Sequence, residues 1–369
     1  MTVGDLVIDK KTKEAREIVA QWIRDNQLME KEEVIDINIS TADRSGGVIE
    51  PLPKMQWFVD VNKKFKQKGK TVSLKKLMHD SVSSGKIKIM PERFEKIYFN
   101  WINNLRDWNI SRQIWYGHKI PVWYRDKQVH VGIEKPDGEG WKQDEDTLDT
   151  WFSSALWTFS TLGWPQKTKD LKTFHPTQVM APGYEILFFW VARMILMSTF
   201  LLEEIPFKTV YLHGIVRDSS GQKFSKSMGN GIDPIEVIDQ FGADALRMSL
   251  IVGVGPGNDS KFDMQRVKGY RNFANKIWNA SRFVLMQPEK NQQTKNDKKL
   301  LKDFEKFAKE ITRDMDNFKF YIAAEKIYHY FWHTFCDKII EDYKQKKVGY
   351  ETILTLLEKS LKILHPFMP

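Results

Sequence analysis

The sequence is poor in cysteine: Cys336 is the only one among its 369 residues. One thiol cannot form an internal disulfide or a cysteine-based zinc cluster, and it suits a reducing compartment. A run of about 20 apolar residues, the length that crosses a membrane, is also missing. The stretch closest to one, ILFFWVARMILMSTFLL at 186–202, contains Arg193. We therefore predict a buried helix there and expect no membrane partner.

The N-terminal residues also lack the features of a targeting segment. MTVGDLVIDKKTKEAR is charged and has no apolar core, so we expect no secretion signal and a cytoplasmic protein. The formal charge of +9 fits a polyanionic partner but does not require one, because many soluble proteins are mildly basic. With 13 Trp and 23 Phe, the chain has enough apolar material for two or three domains.

A complete phosphate-binding Walker loop is missing as well. Gly69-Lys70-Thr71 ends like one, but Lys64 stands where the first glycine should be. What the sequence does contain is GQKFSKSMGN at 221–230, which places two lysines among small residues after the apolar run TVYLHGIVRD. Two such cations indicate an anion-binding loop. The alternative is a solvated lysine-rich turn.

Hydrophobic periodicity predicts an α/β region followed by an all-α region. Long helical patterns dominate after about Asp263, interrupted by a charged linker at 289–299. Asp233 and Pro234 supply an N-cap and a first helical residue, so they predict a helix that Gly242 then breaks. The other predicted elements are helices over 12–26, from near Ser73 and over 91–108, and strands over 34–40, 120–124 and 209–218.

The lysine loop, Lys223-Phe224-Ser225-Lys226-Ser227, resembles the KMSKS signature of class I aminoacyl-tRNA synthetases. Three other segments also resemble that family: APGYEILFFWVARM (181–194), DEDTLDTWFSSALWTFSTLGWP (144–165) and RDWNISRQIWYGHKIPVWY (106–124). These sequence motifs resemble the valyl-tRNA synthetase branch of the family, and the isoleucyl branch is the alternative. The resemblance runs across almost the entire chain.

This resemblance implies the domain organisation. Residues 1–50 resemble the tail of an editing domain and its connector. Residues 51–262 resemble the C-terminal half of a Rossmann-type catalytic domain, which includes the KMSKS-type loop. Residues 263–369 resemble the start of a helical anticodon-binding domain. The expected fold class is therefore α/β, the second half of a class I catalytic domain, followed by an all-α helical bundle.

The resemblance also implies the site residues. Lys223 and Lys226 are the expected catalytic pair, because ammonium groups that approach departing diphosphate in the transition state lower the barrier to amino-acid activation. Trp151 is expected to form an indole wall against the valine side chain, or else to be a core tryptophan. Glu185 stands where the family usually has Asp, and the resemblance implies that an acid here holds the ammonium of valine or orients the ribose. The expected ATP-binding residues are His213, Gly214, Gly183, Glu185, Lys223, Ser225, Lys226 and Ser227, and the expected amino-acid-binding residues are Trp151, Glu185 and Ile186.

Several other polar or aromatic residues are expected to be structural. Activation needs no general base, because the carboxylate of valine is already ionised. The residues in question are Asp146 and Asp149 as loop and strand-end acids, His118 in YGHKIP, Trp190 as a packing residue, Arg106 and Arg112 as a tRNA contact or a salt bridge, and His329 and His333 without a zinc pattern. The segment 129–143 carries no cysteine pair, so we expect no structural zinc.

The expected partners are ATP with Mg²⁺ as its substrate complex, valine and tRNA(Val). A complete class I site also uses a His-x-Gly-His motif, which does not occur in this sequence. The resemblance therefore implies a segment of a longer enzyme of the valyl-tRNA synthetase branch, a valine–tRNA ligase, which needs a missing N-terminal half and is expected to make no valyl-adenylate alone. A non-catalytic tRNA-binding module is the alternative.

Overall fold

The computed structural model describes residues 3–42, 45–49, 51–225, 229–288 and 294–369. It divides into two compact units, residues 1–55 and 56–369. The first unit contains α1 (Val3–Val7) and α2 (Thr12–Asp25), so the helix predicted over 12–26 is confirmed. None of its described residues is buried.

The strand predicted over 34–40 is wrong. This stretch of alternating isoleucines has no secondary structure, and Val34, Ile35 and Ile37 are exposed. A strand needs a neighbouring chain to bond its backbone groups. The described part of the first unit offers only an isolated antiparallel bridge between Thr41 and Val48, just beyond the stretch.

The second unit begins with short strands and contains a three-stranded parallel sheet, besides a parallel pair formed by Val216–Arg217 and Ser260–Lys261. In that sheet Phe207–Tyr211 lies between Lys88–Met90 and Thr177–Met180, and Val210 stands opposite both Ile89 and Met180. Its strands are β1 (Phe58–Val59), β2 (Phe65–Gln67), β3 (Lys70–Val72), β4 (Lys88–Met90), β5 (Trp108–Asn109), β6 (Ser111–Arg112), β7 (Val122–Arg125), β8 (Gln128–Val131), β9 (Lys142–Gln143), β10 (Thr147–Leu148), β11 (Thr177–Met180), β12 (Phe207–Tyr211), β13 (Val216–Arg217) and β14 (Ser260–Lys261).

The helices of the second unit cover the parallel sheet and then form the C-terminal region. They are α3 (Leu74–Ser83), α4 (Arg93–Asn103), α5 (Thr150–Ser154), α6 (Trp157–Ser160), α7 (Lys169–Phe174), α8 (Arg193–Leu201), α9 (Pro234–Phe241), α10 (Ala243–Ile251), α11 (Met264–Leu285), α12 (Asp297–Asp316), α13 (Phe320–His329), α14 (Ile340–Lys344) and α15 (Tyr350–Leu364), with a π-helical stretch at Tyr330–Ile339.

Side-chain caps place several helix starts where the sequence predicts them. The Ser73 hydroxyl accepts a hydrogen bond from the Lys76 amide at 3.2 Å, and the Asp233 carboxylate accepts one from the Ile235 amide at 2.8 Å. These bonds satisfy amide groups that the first helical turn leaves unpaired. Gly242, with φ of 89°, separates α9 from α10 as expected. The helix predicted over 91–108 ends earlier, at Asn103.

The apolar segment predicted as a buried helix is helical but irregular. A 3₁₀ turn at Tyr184–Ile186 leads into a π-helical stretch at Leu187–Ala192 and then into α8. Tyr184–Leu201 is long and apolar enough to cross a membrane, yet 56% of it is buried inside the protein. The residues Arg193–Thr199 are all buried, as expected of a core helix.

Two large apolar cores and a smaller cluster around Val237 and Val267 organise the described part of the second unit. One surrounds the parallel sheet and includes Ile89, Ile195 and Phe207, all at most 1% exposed. The other joins the helices after α10 and includes Phe273 and Phe331, both fully buried. The predicted fold class, an α/β region followed by an all-α region, is confirmed. The predicted boundaries at residues 50 and 262 stay predictions.

Candidate active site

The candidate site begins where the strands β11 and β12 of the parallel sheet end. The segments after the two strands are joined by backbone hydrogen bonds: the His213 amide donates to the Pro182 carbonyl at 3.1 Å, and the Tyr184 amide donates to the His213 carbonyl at 3.0 Å. Gly183 and His213 form an isolated parallel bridge. Ligands of open α/β sheets bind at the carboxyl ends of the strands. Predicted ATP-site residues from two segments therefore meet at this sheet edge.

The strand predicted over 209–218 is interrupted at this edge, and Gly214 stands in the interruption. β12 ends at Tyr211 and β13 resumes at Val216. A Cβ atom on Gly214 would overlap with the backbone of Asn258 and Asp259. The segment just before β14 therefore packs directly against residue 214, and only glycine leaves room for it.

Asp259 joins the neighbouring segments through its carboxylate. It accepts hydrogen bonds from the Ile215 amide at 2.8 Å, the Arg217 Nε at 2.5 Å and the Tyr184 hydroxyl at 3.1 Å. Burial acts to raise the pKa of Asp259, but the Ile215, Arg217 and Tyr184 donors outweigh it and hold that pKa below its usual value. One charged group thus fixes the backbone between the sheet edge and the lysine loop.

The lysine loop is held at its base by Asp218 and Asn230. The Asp218 carboxylate accepts hydrogen bonds from the Ser220 hydroxyl at 2.7 Å, the Asn230 amide at 2.8 Å and the Gln222 backbone amide at 2.8 Å. These bonds favour the ionised form, with Ser220 and Asn230 the largest contributions, and lower the pKa of Asp218 to about 2. Asn230 also accepts from the Ser225 amide at 2.9 Å.

Of the predicted loop residues, the structure describes Lys223 and Ser225. Lys223 is exposed, and its backbone forms an antiparallel bridge with Arg217. Among the described carboxylates, none lies within ion-pair distance of Lys223. Lys226 and Ser227 lie outside the described residues. An exposed ammonium on a loop with a fixed base is free to meet an anion that arrives from solvent.

The predicted amino-acid residues lie on α5 and on the irregular apolar helix. Trp151 is half-buried and stacks on Phe189, with ring centroids 5.8 Å apart. Glu185 is exposed, and its carboxylate lies against the Cα of Gly183, where an added Cβ would collide with it. Ile186 is half-buried. Glu185 is thus beside the sheet edge, while Trp151 is placed by a different element.

Most of the residues predicted to be structural contact another described side chain or backbone group. The Trp190 indole donates to the Ser154 carbonyl at 2.9 Å, and His118 contacts the Ser153 hydroxyl at 3.0 Å. The remaining contacts are Arg112 with Asp149 at 3.3 Å, Gln113 with Asp146 at 2.6 Å, and His333 with Asp337 at 3.3 Å, while Arg106 lines a cavity. Among the described residues, no group of three His, Cys, Asp or Glu is placed to hold a metal ion.

Sequence reasoning missed the polar residues that support the loop. Asp218 and Asn230 flank the lysines, so their spacing around the glycines was an available signal. Asp259 carried no such signal, because it is 42 residues from its partner Arg217 and only the fold brings the two together.

Comparison with known proteins assigns a class to this architecture. The family model described as tRNA synthetases class I (I, L, M and V) matches residues 8–140 and 127–263, and the model for the anticodon-binding domain of tRNA ligase matches residues 297–369. The chain belongs to the class I tRNA synthetase family. Its relatives include the valine–tRNA ligases of Clostridium tetani and Thermotoga maritima, which are 47% and 44% identical over 96% of this chain. The chain spans 42% of the length of each.

Solved structures share the fold of this chain. The methionyl-tRNA synthetase of Mycobacterium tuberculosis in complex with methionyl-adenylate matches 83% of this chain and 65% of its own, with a TM-score of 0.62 and 17% identity. The LeuRS chain of a LeuRS-tRNA-LeuAMS ternary complex from Agrobacterium radiobacter K84 matches 72% of this chain and 39% of its own, with a TM-score of 0.58 and 20% identity. At these identities the likeness shows the fold alone.

Proposed function

We propose that this chain is a segment of a valine–tRNA ligase, which activates valine with ATP and transfers it to tRNA(Val) in the complete enzyme. The observation that carries the proposal is the likeness to the valine–tRNA ligase of Clostridium tetani, 47% identical over 96% of the chain. Protein synthesis takes place in the cytoplasm, and we place the protein there.

In this proposal the sheet edge receives the nucleotide. The backbone around Gly183, His213 and Gly214 lines the adenosine, and Mg²⁺ arrives with ATP as the substrate complex. Lys223, Ser225, Lys226 and Ser227 face the phosphates. Because the base of the loop is held by Asp218 and Asn230, the lysines can approach the diphosphate as negative charge builds on it, which stabilises the transition state more than the ground state.

The amino acid is assigned to the neighbouring helices. Trp151 and Ile186 supply apolar surface for the valine side chain, and the Glu185 carboxylate pairs with the valine ammonium. Lys223 and Lys226 are the catalytic residues. The part of the relatives that this chain does not span would supply the rest of the site, so we expect the chain alone to make no valyl-adenylate.

The test is valine-dependent exchange between ATP and pyrophosphate. The chain is assayed alone and after fusion to the N-terminal portion of the Clostridium tetani relative. We expect exchange only in the fusion, and a loss of about 10²–10³-fold when Lys223 is replaced by alanine, the size found for removing one transition-state donor. Lys208→Ala, which removes an exposed lysine from β12, should leave the rate unchanged. Undiminished exchange in the Lys223→Ala fusion would refute the assigned role.

A non-catalytic tRNA-binding module is the second candidate, favoured by the match of residues 297–369 to an anticodon-binding domain. The same fusion separates the two functions. A fusion that binds tRNA(Val) but gives no exchange with valine or isoleucine supports the binding module. Faster exchange with isoleucine than with valine would instead assign the chain to the isoleucyl branch.

A further inference from the structure

Arg193 is a buried cation with an unused hydrogen-bond donor. Its residue is 6% exposed, and no described residue accepts a hydrogen bond from its Nη1 atom. Burial lowers the pKa of Arg193 to about 10, with Asp149 acting in the opposite direction. Arginine stays charged at this value, and native proteins rarely leave a buried charge without a partner. The unmet donor therefore requires an explanation.

Aromatic rings surround this guanidinium and leave its donors in need of an acceptor. The central carbon of the group lies over the Trp108 ring at 4.0 Å and over the Phe188 ring at 4.8 Å. Aromatic rings stabilise a guanidinium by stacking on the faces of its plane. The N–H groups lie in that plane and point outward from its edges, so the rings do not accept their hydrogen bonds. The nearby acid, Asp149, already accepts from the Trp108 indole at 3.4 Å and pairs with Arg112 at 3.3 Å.

Arg193 lines a cavity of about 710 Å³ that suits an organic anion. Ligand pockets commonly have this volume. Three arginines and two aspartates line it, which leaves one positive charge, and the apolar part of the wall is aromatic except for Leu105. The charged residues are Arg106, Arg112, Arg193, Asp107 and Asp149, and the aromatic ones are Trp101, Trp108, Trp151, Phe188 and Phe189.

We propose that this cavity is a carboxylate-binding site in which Arg193 is the anchoring cation. A carboxylate carries the single negative charge that the wall lacks, and its two oxygens match the paired N–H groups of a guanidinium. A phosphate dianion would exceed that charge. The apolar body of the ligand lies against the exposed rings of Trp101 and Phe189. The carboxylate belongs either to a small free acid or to an acidic side chain of a polypeptide.

The test compares carboxylate probes of both kinds at constant ionic strength. Acetate and propionate, which each carry one negative charge, represent free acids. A capped pentapeptide with one aspartate between apolar residues represents a polypeptide, and its asparagine version is the matched control. Phosphate and chloride report general anion effects. Titration calorimetry gives the dissociation constants, and thermal unfolding of the whole chain gives the shift in Tm.

We expect at least one carboxylate probe to bind and to raise Tm, and Arg193→Met to weaken that binding at least 10-fold. Without any carboxylate, Arg193→Met should unfold no earlier than the wild-type chain, because it removes an unpaired buried charge. Arg193→Lys keeps the positive charge but loses the paired N–H groups of the guanidinium, so it should weaken carboxylate binding as well. Arg125→Met removes a guanidinium that also lies over a tryptophan, Trp141 at 4.6 Å, but outside the cavity, and should change nothing.

Each outcome decides the proposal. Binding of acetate or propionate assigns the site to free acids, and binding of the aspartate peptide alone assigns it to a polypeptide. No binding of any carboxylate overturns the proposal, as does equal binding by Arg193→Met or equal effects of phosphate and chloride. Trp151 belongs both to this cavity and to the proposed valine site. Because the readouts do not use aminoacylation, failure of the carboxylate proposal can be told apart from failure of the proposed ligase function.

Discussion

Asp218 and Asp259 show how single carboxylates fix the candidate site. Each accepts hydrogen bonds from three groups that stand on separate segments or on opposite ends of a loop. Charge-assisted bonds of this kind are stronger than neutral ones. The two acids therefore hold the backbone that presents Lys223, while the lysine itself stays exposed.

A substitution at Gly214 tests whether the backbone of Asn258 and Asp259 packs directly against residue 214. Gly214→Ala should destabilise the protein by about 1–3 kcal/mol, because the new methyl group would have to displace the backbone of Asn258. Urea unfolding measures the change. Gly231→Ala is the control, since nothing lies within 4 Å of a Cβ there, and it should stay within about 0.5 kcal/mol of wild type. Equal effects of the two substitutions would refute this packing.

Asp218 predicts a pH dependence in the lysine loop. Its pKa falls from an ordinary 3.8 to about 2, so the order that it gives the loop is complete above about pH 4 and is lost as pH falls through about 2. Carbon-13 NMR of the labelled carboxyl group measures this titration. Ser220→Ala and Asn230→Ala should each raise the pKa of Asp218, because each removes a donor to the ionised form. An unchanged pKa in both variants would contradict the assignment.

At the scale of elements, sequence patterns predict helices better than strands in this chain. A helix such as α2 or α9 bonds its own backbone, so caps and periodicity are local signals. The strands depend on partners from elsewhere in the chain. Residues 34–40 alternate as a strand should, but only Ser40, which accepts from the Ile49 amide at 3.0 Å, meets a backbone partner among the described residues. The run predicted at 209–218 is divided into β12, which ends at Tyr211, and β13, which begins at Val216.

The cap of α9 provides a test at this scale. Asp233→Ala should cost about 1 kcal/mol of unfolding free energy, because the Ile235 amide loses its acceptor. Asp239→Ala removes an equal charge from the exposed last turn of the same helix, where alanine is the better helix former, and should be neutral or slightly stabilising. Chemical denaturation of both variants measures the difference. A cost that is the same for both would assign it to charge and not to the cap.

For the candidate site, the sequence predicts the residues proposed to bind ligands but not the polar residues that position them. Recognisable sequence motifs contain the lysines, Gly183 and His213. The fold joins the Gly183 and His213 segments through a parallel bridge. The supporting contacts of Asp259 and the cavity around Arg193 cross long sequence distances, and no local pattern reports them. Fold class was predictable because the change from mixed to helical periodicity near residue 263 extends over many residues.

At the scale of the whole molecule, residues 56–369 carry all of the described apolar core. The buried clusters begin at Val61, and none of the described residues before 56 is buried. Burial of apolar surface is the main favourable term in folding. The described residues of the first unit therefore form no apolar core of their own.

This difference predicts the outcome of a truncation. A chain that consists of residues 56–369 should unfold cooperatively within about 3 °C of the full chain, because about 1 kcal/mol shifts Tm by only a few degrees in a protein of this size. Calorimetry and circular dichroism measure the transition and the retained helix. Removal of α15 instead, with Ile353, Leu356 and Leu364 at most 2% exposed, should abolish cooperative unfolding of the helical region. A truncated chain that loses its cooperative transition would show that residues 1–55 stabilise the fold through contacts that their exposure does not suggest.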